Sequence, residues 1–379
     1  MTMLTDQGES GANHWGRVAE GVAQALAPAA ATADRSGDLI VDAFEKLRGA
    51  GLTSALVPSE LGGGGASHAD MGLVLRELGR CDPATSLTLA MHSHLVAAQV
   101  WRHHHGQDAL PLFEKVVGGA ILVSTGASDW VGSNGTARRV DGGYEVSARK
   151  APASGCEVGN VLVTSIRWQE SPEGPQVLHC AIPFTAEGVS IEKTWDTLGM
   201  RATGSHTVVL EDVLVPDGAI SLTRAADVWH PVWNMVVGAA LPLIMSTYVG
   251  VADAAVSAAL DVVRGRLDSH VVQLAGEMLN AHLTGADAVD AMFSSSHNLG
   301  FENTDVHSAM TLGRKTVAAD ALIATVRLAI ELTGGIGYTR SSELERLYRD
   351  VHGCLFHPLS RAKQTTLSGR VALGASPIG

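Results

Sequence analysis

Sixteen histidines make a metal site the first chemistry to test. His103-His104-His105 are consecutive, so on a helix their imidazoles point in three directions and cannot converge on one ion. His92 and His94 are two apart, which is wrong for one helical face, and they read instead as packing or capping groups. Cys81, Cys156, Cys180 and Cys354 form no CxxC pair and no disulfide framework, as expected of a chain kept in a reducing cytoplasm. Gly62-Gly63-Gly64-Gly65 lacks the GxGxxG spacing and the strand-to-helix context of a dinucleotide site, and reads as a turn. Neither a P-loop nor a nucleophile elbow is present. One long stretch is notable for what it lacks: Val228–Ala252 carries no Asp, Glu, Lys or Arg. His230, Pro231, Asn234 and Pro242 interrupt it, so it reads as a buried core helix and not as a membrane span, which needs ~20 apolar residues.

The elements that must position any site follow from periodicity. The chain has 379 residues, 46% of them hydrophobic and only 17% charged, so a large core is possible and disorder is excluded. Its net charge of −12 and the absence of a basic cluster argue against nucleic acid and anionic membrane as partners. The N-terminus has no basic region followed by an apolar run, and so no signal peptide is expected. Apolar residues recur with helical spacing in residues 18–27, 39–52, 70–78 and 84–100. From about residue 118 the period becomes two, with strand-like runs at 120–124, 144–147, 161–165, 177–182, 189–191 and 207–210. Helical spacing returns at about residue 220 and continues through 247–264, 268–293 and 307–332, where Gly334-Gly335 stops it. Helices, then strands, then helices make an α+β protein. The expected domains are an N-terminal helical domain at 1–117, a central β-barrel or sandwich at 118–218 and a C-terminal helical bundle at 219–379.

Four segments in this order carry a family resemblance. They are Gly51-Leu52 with Val57-Pro58-Ser59-Glu60-Leu61-Gly62-Gly63; Leu198-Gly199-Met200-Arg201; Val213-Leu214-Val215-Pro216; and Gly334-Gly335-Ile336-Gly337-Tyr338 followed by Glu345-Arg346 and Tyr348-Arg349-Asp350. From about residue 15 to 372 the chain resembles the acyl-CoA dehydrogenase superfamily. The resemblance implies a flavin between the β domain and the C-terminal helices, and a homotetramer. It implies flavin contacts from Thr125 and Ser128, in a degraded form of the family's strand-end motif, and from Gly334 and Gly335.

The chain also departs from the family. A dehydrogenase removes an α-proton with a carboxylate in a dry pocket. Counting from Arg349-Asp350, the commoner position for that Glu falls on Pro358, and the alternative falls on Ala240. The motif that clamps the FAD adenosine reads Arg264-Gly265-Arg266-Leu267, without its usual Gln-Phe, so FMN or reduced flavin delivered by a separate reductase becomes an expectation beside FAD. Ala153-Ser154-Gly155-Cys156, and His357 shortly after the Arg-Asp pair, resemble the branch that uses reduced flavin and O₂ as monooxygenases. In that branch a hydroxyl and an imidazole supply the hydrogen bonds and proton handling near the ring. Ser154 and His357 are therefore the expected catalytic residues, and Ser154 is also expected to touch the flavin. The expected activity is monooxygenation of a small molecule. The alternatives are an acyl-thioester dehydrogenase with a relocated base and a flavin-binding protein without catalysis.

Overall fold

The computed structural model describes residues 11–126 and 129–379. Its first layer is helical: α1 (Gly11–Ser36), α2 (Val41–Gly49), α3 (His68–Cys81), α4 (Pro83–His104) and α5 (Leu110–Val117). Local chemistry sets where these helices begin. Ser67 and Asp70 form a reciprocal capping box at the start of α3. The Asp82 side chain accepts from the Thr85 N–H, and Pro83 occupies the first turn of α4, where no donor is missed. The glycine run is a turn, as expected: Gly62 and Gly65 have φ of +86° and +65°. A Cβ on Gly64 would stand 2.6 Å from the Trp15 ring, so the turn lies directly beneath α1.

The middle of the chain is a sandwich of two four-stranded sheets. One has the order β1-β4-β5-β8, from β1 (Leu122–Ser124), β4 (Val161–Trp168), β5 (Gln176–Pro183) and β8 (Ile220–Ala225). The other has the order β2-β3-β7-β6, from β2 (Thr136–Val140), β3 (Gly143–Lys150), β6 (Val189–Glu192) and β7 (Thr207–Pro216). β1 runs parallel to β4, and all other pairs are antiparallel. Alternate residues such as Val146, Leu162, Ile166, Leu178 and Val208 fill the space between the sheets. β8 lies beyond residue 218, so the sandwich runs further along the chain than the sequence pattern places it.

The last layer is a bundle of α6 (Val232–Val262), α7 (Ser269–Ser296), α8 (Asp305–Thr333), α9 (Glu343–Val351) and α10 (Arg361–Ala372). The charge-free stretch and the Ala/Val-rich run after it form the single helix α6, which continues through Pro242. By length and composition α6 could cross a membrane, but 94% of its most apolar window is buried, which makes it the core helix. Glycine brings it against α3. A Cβ on Gly79 would stand 2.5 Å from the Thr247 carbonyl oxygen, and one on Gly250 would overlap the Arg76 carbonyl.

Candidate active site

A cavity of about 570 Å³ opens where the three layers meet. Leu87 and Met91 of α4 and Val236, Leu241 and Ile244 of α6 make one apolar wall. Ser124, Thr125, Ser154 and Ser205 of the sandwich line the opposite side. The segment after α9 closes the third side. Ala240 and Pro358 both line this cavity, so the two positions where a family carboxylate was expected are in its wall and carry no acid. Among the described residues the lining contains no Asp or Glu at all.

His357 lies at the centre of the third side. Its Nε2 is 2.7 Å from the hydroxyl of Tyr248, a residue of α6 whose side chain is fully buried. Burial pushes the His357 pKa down to about 3, and the Lys315 ammonium and His94 lower it further. The same burial raises the Tyr248 phenol well above its usual value. Both groups are therefore neutral at pH 7. A buried phenol must donate its proton, and among the described residues its hydrogen-bond partner is Nε2. With the phenol assigned as donor, Nε2 accepts and the ring proton is placed on Nδ1. Lys315 stands behind this residue, its Nζ 3.4 Å from the carbonyl oxygens of Leu355 and Leu359 on either side of the imidazole. Burial lowers the Lys315 pKa.

The two histidines of α4 have separate environments. His92 is held at both nitrogens, by the Thr53 carbonyl at 2.8 Å and the Leu122 N–H at 3.0 Å, and ties α4 to β1. His94 lines the cavity, with Nδ1 3.3 Å from the Ala90 carbonyl, and burial lowers its pKa to about 4. Packing describes His92 fully, but His94 is also part of the site.

The sandwich side is built as a hydroxyl chain. Ser154 Oγ lies 2.7 Å from Ser205 Oγ, Ser205 lies 2.6 Å from Thr203 Oγ1, and Thr203 donates to the Met200 carbonyl at 3.0 Å. Thr125 donates to Asp129 at 2.7 Å, and Asp129 is paired with the buried Lys150 ammonium at 2.9 Å. Ser124 Oγ is buried and has no protein partner among the described residues. The Arg-Asp pair of α9 fixes the loop between the layers. Arg349 binds both oxygens of Asp34 and both of Glu345, and donates to the Leu198 carbonyl. Asp350 accepts from the Met200 N–H at 2.6 Å, where Met200 has φ of +53°. Gly199 is needed there because a Cβ would collide with the Arg349 carbonyl.

Of the residues singled out in the sequence, Thr125, Ser154 and His357 are brought to one cavity. Gly334 and Gly335 are exposed at the end of α8 and are not part of its lining, while Ser128 lies outside the described residues. Sequence reasoning missed Tyr248 and His94. The signal for Tyr248 was available: it is the one tyrosine in the charge-free stretch, and a phenol buried there must find a partner. His352, five residues before His357, also borders the cavity, with Nδ1 2.6 Å from the Tyr348 carbonyl. No cluster of metal-ligating side chains occurs among the described residues.

The architecture of helical layer, sandwich and helical bundle around one apolar cleft defines a family. The acyl-CoA dehydrogenase N-terminal domain matches residues 16–110 and the acyl-CoA dehydrogenase C-terminal domain matches residues 243–361, and the chain belongs to the acyl-CoA dehydrogenase superfamily. Amino sugar nitrososynthase DnmZ of Streptomyces peucetius is 26% identical, over 90% of this chain and 88% of its own. YdbM of Bacillus subtilis (strain 168), provisionally named an acyl-CoA dehydrogenase, is 29% identical over 90% of this chain and 91% of its own. The solved structure of KijD3 in complex with FMN and dTDP-3-amino-2,3,6-trideoxy-4-keto-3-methyl-D-glucose superposes with a TM-score of 0.84 at 26% identity, covering 95% of this chain and 94% of that one.

Proposed function

We propose that the protein is a flavin-dependent monooxygenase that takes reduced flavin and O₂ and oxidises a small molecule in this cavity. The observation that carries the reading is the wall itself. Ala240 and Pro358 leave it without a carboxylate, the Arg349 guanidinium is taken up by Asp34 and Glu345, and the neutral hydrogen-bonding groups are the Tyr248–His357 pair, His94 and the Ser154 hydroxyl chain. α-Proton removal from a thioester needs a base, and an imidazole with a pKa of about 3 is a poor one at pH 7.

The residues fit a flavin. Ser124 is a lining residue whose buried Oγ has no hydrogen-bond partner among the described residues, although a buried hydroxyl requires one. Gly126 lets the strand end approach the neighbouring loop, since a Cβ there would stand 2.9 Å from the Pro152 ring. The cavity's size is that of an ordinary cofactor-and-ligand site. Ser124, Thr125 and Ser154 would hold the ring by hydrogen bonds, with Ser128, which lies outside the described residues, as a further expected contact. Reduced flavin with O₂ supplies two electrons and an electrophilic oxygen atom; one oxygen enters the substrate and the other leaves as water. His357 offers an Nδ1–H whose tautomer is set by Tyr248. Ser154, backed by Ser205 and Thr203, orients a second hydroxyl. The apolar α4–α6 wall excludes water.

The cofactor is FMN in preference to FAD, because the segment Arg264–Leu267 that would meet an adenosine lacks the Gln-Phe pair and is exposed. A separate reductase supplies the reduced form. A homotetramer is supported by two exposed apolar stripes at helical spacing, Val272, Leu279 and Leu283 on α7 and Val306, Met310 and Val317 on α8. The four cysteines are free, in keeping with a cytoplasmic setting.

The test is a titration of the purified protein with FMN, read by quenching of Trp130 and Trp195, which line the cavity. Saturable binding, with O₂-dependent product formation when reduced FMN is supplied, is expected. Anaerobic bleaching of the bound flavin by acyl-CoA thioesters is not expected, and its rapid appearance would transfer the protein to the dehydrogenases.

A further inference from the structure

We propose that the substrate of this site is an uncharged, apolar molecule, and that the cavity excludes ammonium and carboxylate groups by offering neither a counter-ion. This deepens the monooxygenase reading and rests on it for the location of the substrate.

A charged group loses its hydration on entering an apolar site and needs an opposite charge there to compensate. The described lining provides no anion for a cation. Two carboxylates lie behind the wall, and both are engaged. Asp129 is paired with Lys150 and accepts from Thr125. Asp350 accepts from the Met200 N–H, and burial raises its pKa to about 6. The buried cation Lys315 stands behind His357 with carbonyls as its hydrogen-bond partners and makes no ion pair with a carboxylate among the described residues, so the local field opposes a second positive charge.

A carboxylate fares no better. The cationic side chain in the lining is Arg349, and its guanidinium is taken up by Asp34 and Glu345. His94 and His357 are neutral, and the Tyr248 hydroxyl is committed to His357. His352 is bound to the Tyr348 carbonyl. What remains is an aliphatic and aromatic surface with a few neutral polar groups, suited to a neutral compound with apolar surface of its own. An amine must leave its proton in water before entering, at about tenfold in affinity for each pH unit between the solution and its pKa.

Three compounds of one shape separate the cases: 4-(methylthio)toluene, 4-(methylthio)benzylamine and 4-(methylthio)benzoate. Their binding is measured calorimetrically at pH 7.5, on the FMN-loaded and the flavin-free protein. The neutral compound is expected to bind at least about tenfold more tightly than either ion. In Ala240→Asp, which places a carboxylate in the wall, the ratio of amine to neutral affinity is expected to rise about tenfold or more. Equal or tighter binding of either ion by the wild-type protein overturns the proposal, as does failure of the neutral compound to bind. The wild-type comparison decides it even where Ala240→Asp does not fold. The outcomes also separate it from the reading it rests on. A protein that binds FMN but prefers the amine sinks only the substrate class. One that selects the neutral compound but never binds flavin sinks the monooxygenase reading.

Discussion

Tyr248→Phe removes one oxygen from the interior and little volume, so it isolates the hydrogen bond to His357 from packing. In the wild-type protein that bond is 2.7 Å long, and its two groups are neutral. Without the hydroxyl, His357 Nε2 becomes a buried acceptor with no partner, a loss of about 1–3 kcal/mol in stability. His357→Ala strands the Tyr248 hydroxyl in the same way and adds a cavity term on the order of 1 kcal/mol or more. Because each single variant leaves the other partner unsatisfied, the double variant should cost less than the sum, with a coupling of about 1–2 kcal/mol. Urea denaturation of the four proteins gives this number without knowledge of the substrate. Turnover with supplied reduced FMN should fall about 10²–10³-fold in His357→Ala, the size of one lost hydrogen-bond donor at a reacting oxygen. Tyr248→Phe should lower it by a smaller factor, and by almost nothing on the His357→Ala background. His352→Ala, attractive as a silent neighbour from the sequence alone, is a poor control because His352 borders the cavity. His105, stacked on Trp101 with Nδ1 2.7 Å from the Trp101 carbonyl, is a better one. Additive effects on both stability and turnover would refute the pairing. A His357→Ala protein that is unstable but fully active would leave His357 as packing.

Acid should unfold the protein early. His68, His92 and His94 have pKa values lowered to about 4, and His179 and His357 to about 3, in every case chiefly by burial. Each stays neutral when folded but protonates below about pH 6.5 when unfolded, so its contribution is complete above 6.5 and is lost as pH falls, at about 2 kcal/mol each between pH 7 and 5. Asp350, raised to about 6 by burial, works the other way and returns about 1 kcal/mol over that range. The net loss is on the order of 5–10 kcal/mol, and a urea midpoint that stays flat from pH 7 to 5 would contradict it. At the sandwich edge, Lys150→Met should cost about 3–5 kcal/mol by stranding buried Asp129, and Lys150→Met with Asp129→Leu should recover most of it; equal midpoints for the single and double variants would show that the pair is not coupled.

The three-layer order was legible because periodicity survives where one face is buried. The elements that escaped notice lack that contrast. β2 reads Thr136-Ala137-Arg138-Arg139-Val140, and its arginines are satisfied outside the strand by Glu145 and Asp217. β8 alternates between exposed and partly covered residues and follows the Val215-Pro216 exit signal, which hid its return to the sheet. Pro242 looked like a break, yet α6 passes through it, with Ser246 donating to the Pro242 carbonyl inside a fully packed layer. The site was legible only in part, for a different reason. Tyr248 and His357 are 109 residues apart, and no local pattern encodes a contact made by packing α6 against the segment after α9.

That contact changes the role His357 can have. From sequence, an imidazole beside a missing carboxylate invites the idea of a substitute base, since free imidazole titrates near neutrality. In the folded chain it is half-buried at the cavity wall, and burial, with the Lys315 cation and His94, lowers its pKa to about 3. A proton taken from a substrate would have to create imidazolium exactly where the structure most opposes positive charge. Donation is different: an Nδ1–H held in one tautomer by Tyr248 costs no charge and is present at every pH where the protein is folded. On the proposed reading, a cavity wall with Ala240 and Pro358 in place of a carboxylate and a neutral His357 beside them suits a hydrogen bond to oxygen better than proton removal. The consequence is measurable. Between pH 6.5 and 9 the turnover of the wild-type protein should show no ionisation belonging to His357, and a step near pH 6.5 that vanishes in His357→Ala would restore the base.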